Sequence, residues 1–117
     1  MNIEEYRIYC LSKPHTRESF PFDENTLVYK VAGKMFTLTS IDDFKRINVK
    51  CDPIEAIRLR SEYDGVIPAW HMNKKHWNTI ILSGFTNQQI YKWIDDSYEL
   101  VIANLSITIK KRLLAQL

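Results

Sequence analysis

The chain has 117 residues, of which 45% are hydrophobic and 26% are charged, a size and composition typical of one globular domain spanning 1–117. Sixteen Lys and Arg against fourteen Asp and Glu give a net charge of +2, so any basic surface must come from local clustering. No apolar run approaches the roughly 20 residues of a membrane span, and the N-terminal residues lack a signal-peptide pattern. We therefore expect a cytoplasmic protein with no membrane partner. The two cysteines form no C-x-x-C pair, and we expect both to be reduced.

The first third of the chain predicts a helix followed by a hairpin. The helix is indicated by a cap at Asn2 and by an apolar stripe at Ile3, Tyr6, Cys10 and Leu11. The segment 19–26 is rich in turn residues. Alternating apolar residues from 27 to 40 then predict two strands joined at Ala32-Gly33. Because alanine is a poor residue for a type I′ turn, we expect another turn type or a bulge there.

The middle of the chain predicts a strand, a helix and two more strands. In the strand 46–50, Ile47 and Val49 should face the core, with the intervening residues facing outward. A helix should begin after the cap Asp52, with Pro53 at its first position, and end at Gly65. The segments 66–71 and 77–82 then predict strands connected through 72–75.

The C-terminal third predicts helices only. Thr86 and Gln89 form a capping box at the start of the first of these helices. Because Asp and Ser favour caps over helix interiors, we expect Asp95-Asp96-Ser97 to divide it, and a short helix around Ile109 and Leu113 follows. The element order lacks βαβ alternation, so it predicts an α+β fold: an antiparallel β-sheet with helices packed on one face.

Metal and catalytic motifs are weak in this sequence. His71 and His76 are five residues apart, a spacing that matches neither C-x-x-C nor H-E-x-x-H, and no cysteine lies near them in sequence. Cys51 precedes a helix cap whose dipole could lower its pKa, but no histidine partner is near it in sequence. We expect no metal, no cofactor and no enzymatic activity.

The stretch from Pro68 to Leu82 has the residue types of a nucleic-acid surface. Lys74 and Lys75 at a hairpin tip can contact phosphates, and neighbouring aromatic rings can stack on bases. The candidate interface comprises Lys74, Lys75, His76, Trp77, His71 and Asn73, extended by Arg46, Lys50, Lys30 and Lys34. The plainer interpretation is a solvated tip with Trp70 and Trp77 in the core. A related hypothesis is that side-chain hydrogen bonds from Asn73 to the backbone lock a turn over 73–76.

Three segments carry a resemblance to a known family. They are Ala69 to Thr79 ("AWHMNKKHWNT"), Phe20 to Phe36 and Asp95 to Val101. Through them the chain resembles the bacterial MmcQ/YjbR-like proteins. The resemblance implies a frataxin-like (CyaY-like) architecture and a DNA-binding role through two hairpin wings. The alternative is a protein- or small-ligand-interaction module in which the His/Trp cluster lines a pocket or partner surface.

Overall fold

The computed structural model describes residues 1–69 and 72–116, and this part of the chain forms four α-helices and six strands. The helices are α1 (Ile3–Leu11), α2 (Pro53–Glu62), α3 (Asn87–Ala103) and α4 (Ile107–Ala115). The strands are β1 (Thr16–Ser19), β2 (Thr26–Val31), β3 (Lys34–Ser40), β4 (Arg46–Lys50), β5 (Val66–Pro68) and β6 (Trp77–Ile81). All neighbouring strands are antiparallel, in the order β1-β2-β3-β4-β6-β5, which confirms the predicted α+β class.

The helices cover one face of the sheet, and we call the other the open face. The larger core lies under the helices and joins strand residues such as Tyr29, Ile47 and Ile80 to Tyr6 of α1 and Ile94 of α3. Val28, Leu38, Ala69 and Trp77 form a smaller buried cluster. None of the helices in the described residues is long and apolar enough to cross a membrane.

The β2–β3 hairpin corrects our expectation about its turn. Val31 pairs with Lys34, which leaves a two-residue loop in which Ala32 has φ 50° and Gly33 has φ 76°. Two positive φ values define a type I′ turn, so the expectation of another turn type was wrong. A bulge is also present, because the strand register shifts between Tyr29 and Lys30.

Strand β1 has no counterpart among the predicted elements. Its sequence, Thr-Arg-Glu-Ser, contains no apolar residue whose alternation could indicate a strand. It forms because its backbone pairs with β2 and because Glu18 accepts two hydrogen bonds from Arg7 Nε and one from Arg7 Nη2. The edge strand is therefore stabilised by tertiary contacts.

The helix α2 begins as predicted and ends earlier. Asp52 Oδ2 accepts from the backbone amides of Ile54 and Glu55, at 3.1 and 3.3 Å. The helix ends at Glu62, and Gly65 lies in the following turn rather than at the helix end. A Cβ at Gly65 would lie 2.8 Å from Phe85 Cε2, so close packing requires this glycine.

The predicted break at Asp95-Asp96-Ser97 does not occur, since α3 runs without interruption through these residues. Asp95 accepts a hydrogen bond from Tyr9 Oη at 2.6 Å, and Asp96 pairs with Lys92 one turn earlier at 2.9 Å. Ser97 is buried and bonds to strand backbone. Partners outside the local backbone therefore outweigh the preference of these residues for caps.

Candidate nucleic-acid interface

The connection between β5 and β6 contains a turn fixed largely by backbone groups. Asn73 Oδ1 accepts from the amide of Lys75 at 3.0 Å, and Asn73 O accepts from the amides of His76 and Trp77 at 3.1 and 2.9 Å. Arg60 Nη1 on α2 donates to Lys74 O at 3.2 Å. The predicted lock by Asn73 is confirmed, although Asn73 is exposed rather than buried.

The turn is also attached to the end of β4. His76 O accepts from the amide of Cys51 at 2.7 Å, and Lys50 pairs with Trp77 in the strand register. His76 thus contributes its backbone, while its side chain is half-buried. The side chains of Lys74 and Lys75 are exposed. The turn therefore presents two ammonium groups from a fixed backbone.

Trp77 does not present its ring to solvent. It is 8% exposed and packs in the smaller buried cluster with Val28, Leu38 and Ala69. A residue so buried cannot stack on a base without leaving its cluster, so we no longer assign Trp77 a stacking role. Trp70 and His71, which we also associated with this stretch, lie outside the described residues.

The β2–β3 turn lies at the same end of the sheet as the 73–76 turn. Thr37 pairs with Val49 in the β3–β4 register, so the Lys34 end of β3 lies beside the Lys50 end of β4. Strand β4 separates β3 from β6, which places the two connections roughly 10 Å apart at the strand spacing of about 4.8 Å. Lys34, Lys50, Lys74 and Lys75 are thereby brought to one end of the sheet.

Arg46 is not brought to this cluster. It lies at the other end of β4, opposite Ile81, and four residue steps at about 3.3 Å place it roughly 13 Å from Lys50. Both side chains leave the face opposite Ile47 and Val49, as predicted. Arg46 therefore shares the open face but is too far along the strand to extend the patch around the turn.

Two basic residues of this region were missed in the sequence. Arg17 of β1 pairs directly with Lys30 of β2 on the open face, because Tyr29 and Glu18 occupy the helix-covered face. Arg60 reaches the turn from α2. Neither carries a sequence signal: the strand of Arg17 has no apolar alternation, and the reach of Arg60 depends on where α2 lies.

Charge is strongly segregated in the sheet. The strands contain five basic residues and one acidic residue: Arg17, Lys30, Lys34, Arg46 and Lys50 against Glu18. Glu18 is directed toward the helices, where Arg7 pairs with it at 2.7 Å. None of the five strand cations, nor Lys74 or Lys75, forms a salt bridge with another residue that the structure describes. We call Arg17, Lys30, Lys34, Lys50, Lys74 and Lys75 the basic end.

Burial disfavours the thiolate form of both cysteines. Both are free thiols, and burial raises the pKa of Cys10 well above its ordinary value. Burial, followed by the nearby carboxylates of Glu55, Asp52 and Asp96, raises the pKa of Cys51 to about 11. The α2 dipole thus fails to lower the pKa of Cys51, contrary to our suggestion from the sequence, and the thiolate that covalent chemistry needs is scarce at neutral pH.

Comparison with known proteins places this geometry in a family. The chain is 34% identical over 119 aligned positions to the uncharacterized protein YjbR of Escherichia coli (strain K12), with 100% of both chains covered. It is 31% identical over 105 positions to the uncharacterized protein YbdF of Escherichia coli O157:H7, which covers 88% of this chain and 86% of that protein.

A solved structure agrees with the fold. The crystal structure of protein DR2400 of Deinococcus radiodurans, which has a DUF419 domain, superposes with a TM-score of 0.90 at 33% identity, covering 96% of this chain and 87% of that one. The YjbR family model matches residues 11–100, a segment that includes β1, the β2–β3 hairpin and the 73–76 turn. The chain therefore belongs to the YjbR family.

Proposed function

We propose that this protein is a non-catalytic, cytoplasmic DNA-binding protein that contacts the phosphates of duplex DNA through the basic end of its sheet. The observation that supports this most directly is the charge segregation, which places only basic side chains among the charged strand residues outside the helix-covered face. A net charge of +2 for the whole chain would not attract DNA. Lys74 and Lys75 on the turn, and Arg17 and Lys30 on the open face, form no salt bridge with a described carboxylate and so favour an anionic partner there, whereas Lys50 lies beside the carboxylates that surround Cys51.

The pairing of Arg17 with Lys30 adds support. Like charges directly opposite each other in a sheet reduce stability, and no carboxylate among the described residues pairs with either. A phosphate backbone would supply the missing opposite charge. Such an arrangement is better explained by an anionic partner than by the stability of the free protein.

The geometry favours duplex over single-stranded DNA. The two connections that carry Lys34 and Lys74 are roughly 10 Å apart, comparable to the width of the major groove, about 12 Å. Single-strand binding depends on aromatic rings that stack on bases, and Trp77 cannot supply such a ring because it is buried. Contacts of this kind position a protein on DNA without reading its sequence.

The test is fluorescence anisotropy with a labelled duplex and the matching single strand at several salt concentrations. We expect binding that weakens steeply with salt, and a Lys74→Ala/Lys75→Ala variant whose log–log salt slope is shallower by about two. The matched control is Lys45→Ala/Arg46→Ala, which removes the same charge from exposed residues at the opposite end of β4.

Each outcome has a distinct meaning. Equal losses in the two double variants would show a response to total charge and refute an interface at the basic end. Salt-insensitive binding, or no binding at low salt, would refute the DNA proposal and favour the interaction module. A preference for the single strand would contradict the argument from Trp77.

A further inference from the structure

A groove runs between α4 and the segment 14–19, which contains the edge strand β1. Two cavities make up the groove, one of about 250 Å³ and one of about 390 Å³, and His15 and Leu113 line both of them. On the segment 14–19, Pro14 lines only the smaller cavity and Arg17 only the larger one. The two cavities are therefore consecutive parts of one groove and meet at His15 and Leu113.

The smaller cavity has an apolar wall. Tyr98 and Ile102 of α3 line it together with Leu113 and Leu114 of α4. Leu114 is 68% exposed, so part of this wall is in contact with water in the free protein. A cavity of roughly 150 Å³ is enough to take up benzene, and burying apolar surface stabilises a complex by roughly 25 cal/mol per Å². This part of the groove therefore favours a ring or a short alkyl group.

The larger cavity is polar and basic. Arg17 and Lys30, which lie opposite each other in the β1–β2 register, both line it, and so do Ser19 and Gln116. Neither Arg17 nor Lys30 forms a salt bridge with another residue that the structure describes. A guanidinium group can bind a carboxylate through two hydrogen bonds, and an ammonium group beside it adds to the attraction. This part of the groove therefore favours an anionic group.

The positive charge of the groove remains when neighbouring charges are counted. Its lining has three basic residues and one acid: Arg17, Lys30, Lys110 and Glu18. Arg7 pairs with that acid from outside the lining and adds one positive charge, while Glu99 acts on Tyr98 and removes one. Lys13 and Asp95, also near Tyr98, pair with each other and cancel. Among the described residues the formal charge around the groove is therefore +2.

We propose that the groove binds a small organic acid, a molecule in which one anionic group is joined to an apolar body. Arg17 and Lys30 bind the anionic group, and the apolar body lies against Ile102 and Leu114. The class of ligand follows from the position of a basic cavity directly beside an apolar one. Arg17 and Lys30 also belong to the basic end, but this proposal does not depend on DNA binding and is tested without DNA.

The probes are 4-phenylbutyrate, its neutral isostere 4-phenylbutyramide, and butyrate, which lacks the ring. Binding is followed in a ¹⁵N-labelled sample of the full chain through the backbone amide resonances of Gly33, in the larger cavity, and Ile102, in the smaller one. We expect both resonances to shift with a single Kd for phenylbutyrate, and we expect the other two probes to bind more weakly.

Two pairs of variants test the two halves of the groove. Arg17→Gln/Lys30→Gln should weaken phenylbutyrate about tenfold and leave phenylbutyramide within about twofold. Its control, Lys45→Gln/Arg46→Gln, removes the same charge from exposed residues at the opposite end of the sheet and should leave both affinities unchanged.

For the apolar half, Leu114→Ala should weaken phenylbutyrate about threefold. Its control, Ile107→Ala, shortens an apolar side chain of the same helix that is 71% exposed and does not line the groove, and it should have no effect.

Four outcomes would each overturn the proposal. They are equal affinity for phenylbutyrate and phenylbutyramide, butyrate binding as tightly as phenylbutyrate, equal losses in the two charge variants, and no saturable shift at millimolar concentrations. None of these outcomes bears on DNA binding, which the salt titration measures separately.

Discussion

Ser97 of α3 joins two strands at the point where their ladder ends. The last β3–β4 pair is Thr37 with Val49, so Phe36 and Lys50 lie one residue beyond it. There the Lys50 amide donates to Ser97 Oγ at 2.8 Å, and Ser97 Oγ donates to the Phe36 carbonyl. A single hydroxyl thus satisfies a donor and an acceptor that the sheet leaves unpaired.

A Ser97→Ala substitution removes both bonds and leaves two backbone groups without partners. Each orphaned buried group costs about 1–3 kcal/mol, and alanine returns roughly 0.5 kcal/mol through its higher helix propensity. Because Ser97 and Phe36 are fully buried, water does not readily replace the hydroxyl. We expect the free energy of unfolding to fall by about 1.5–5.5 kcal/mol, a large part of the roughly 5–15 kcal/mol of an ordinary domain.

Urea denaturation measures this change, and hydrogen exchange locates it. The Lys50 amide should lose protection in the variant more than amides in the centre of β4. The control is Ser61→Ala on α2, where an exposed hydroxyl donates to Arg58 O, and its effect should stay within about 0.5 kcal/mol. A Ser97→Ala effect no larger than the control, or unchanged protection at Lys50, would refute the reasoning.

Three further predictions concern the turn, a close contact and the thiols. Ala32→Gly should raise the free energy of unfolding by about 0.5–1 kcal/mol in urea titrations, because Ala32 has φ 50°; a decrease would contradict this. Gly65→Ala should lower the free energy of unfolding by about 1–3 kcal/mol, because the new Cβ meets Phe85 at 2.8 Å within a cluster of aromatic rings. An unchanged melting temperature would exclude the clash. The pKa of Cys51 is raised from 9.0 to about 11, so its thiolate fraction at pH 8 should be about a hundredfold lower than that of an unperturbed thiol. Ellman's reagent should therefore react slowly with Cys51 at pH 8, and the rate should increase as the pH rises. The Cys51 thiol ionises near pH 9 in the unfolded chain but not in the folded one, so the free energy of unfolding should also fall above pH 9. A fast reaction with Ellman's reagent at pH 8 would contradict the raised pKa.

Local signals in the sequence were sufficient for elements whose stability is local. The caps at Asn2, Asp52 and Thr86 are all formed, with side-chain oxygens accepting from backbone amides as expected. The alternation of apolar and polar residues in β4 correctly predicted that Ile47 and Val49 face the core and that their neighbours face outward. These predictions succeeded because a cap or a strand face depends on residues a few positions apart.

The errors occurred where distant contacts decide the local conformation. The type I′ turn at Ala32, the continuity of α3 through Ser97 and the existence of β1 all run against local preference. In each case pairing with another strand or helix supplies the stabilisation that the local residues lack.

The candidate sites show the same division. The sequence by itself determined the exposed Lys74 and Lys75 turn and its lock by Asn73, because both follow from residue types at fixed short spacing. Only the tertiary structure separated Arg46 from that turn and paired Arg17 with Lys30. Strand order and helix placement bring together residues that are far apart in the chain, and no periodicity in a single sequence encodes which of them will meet.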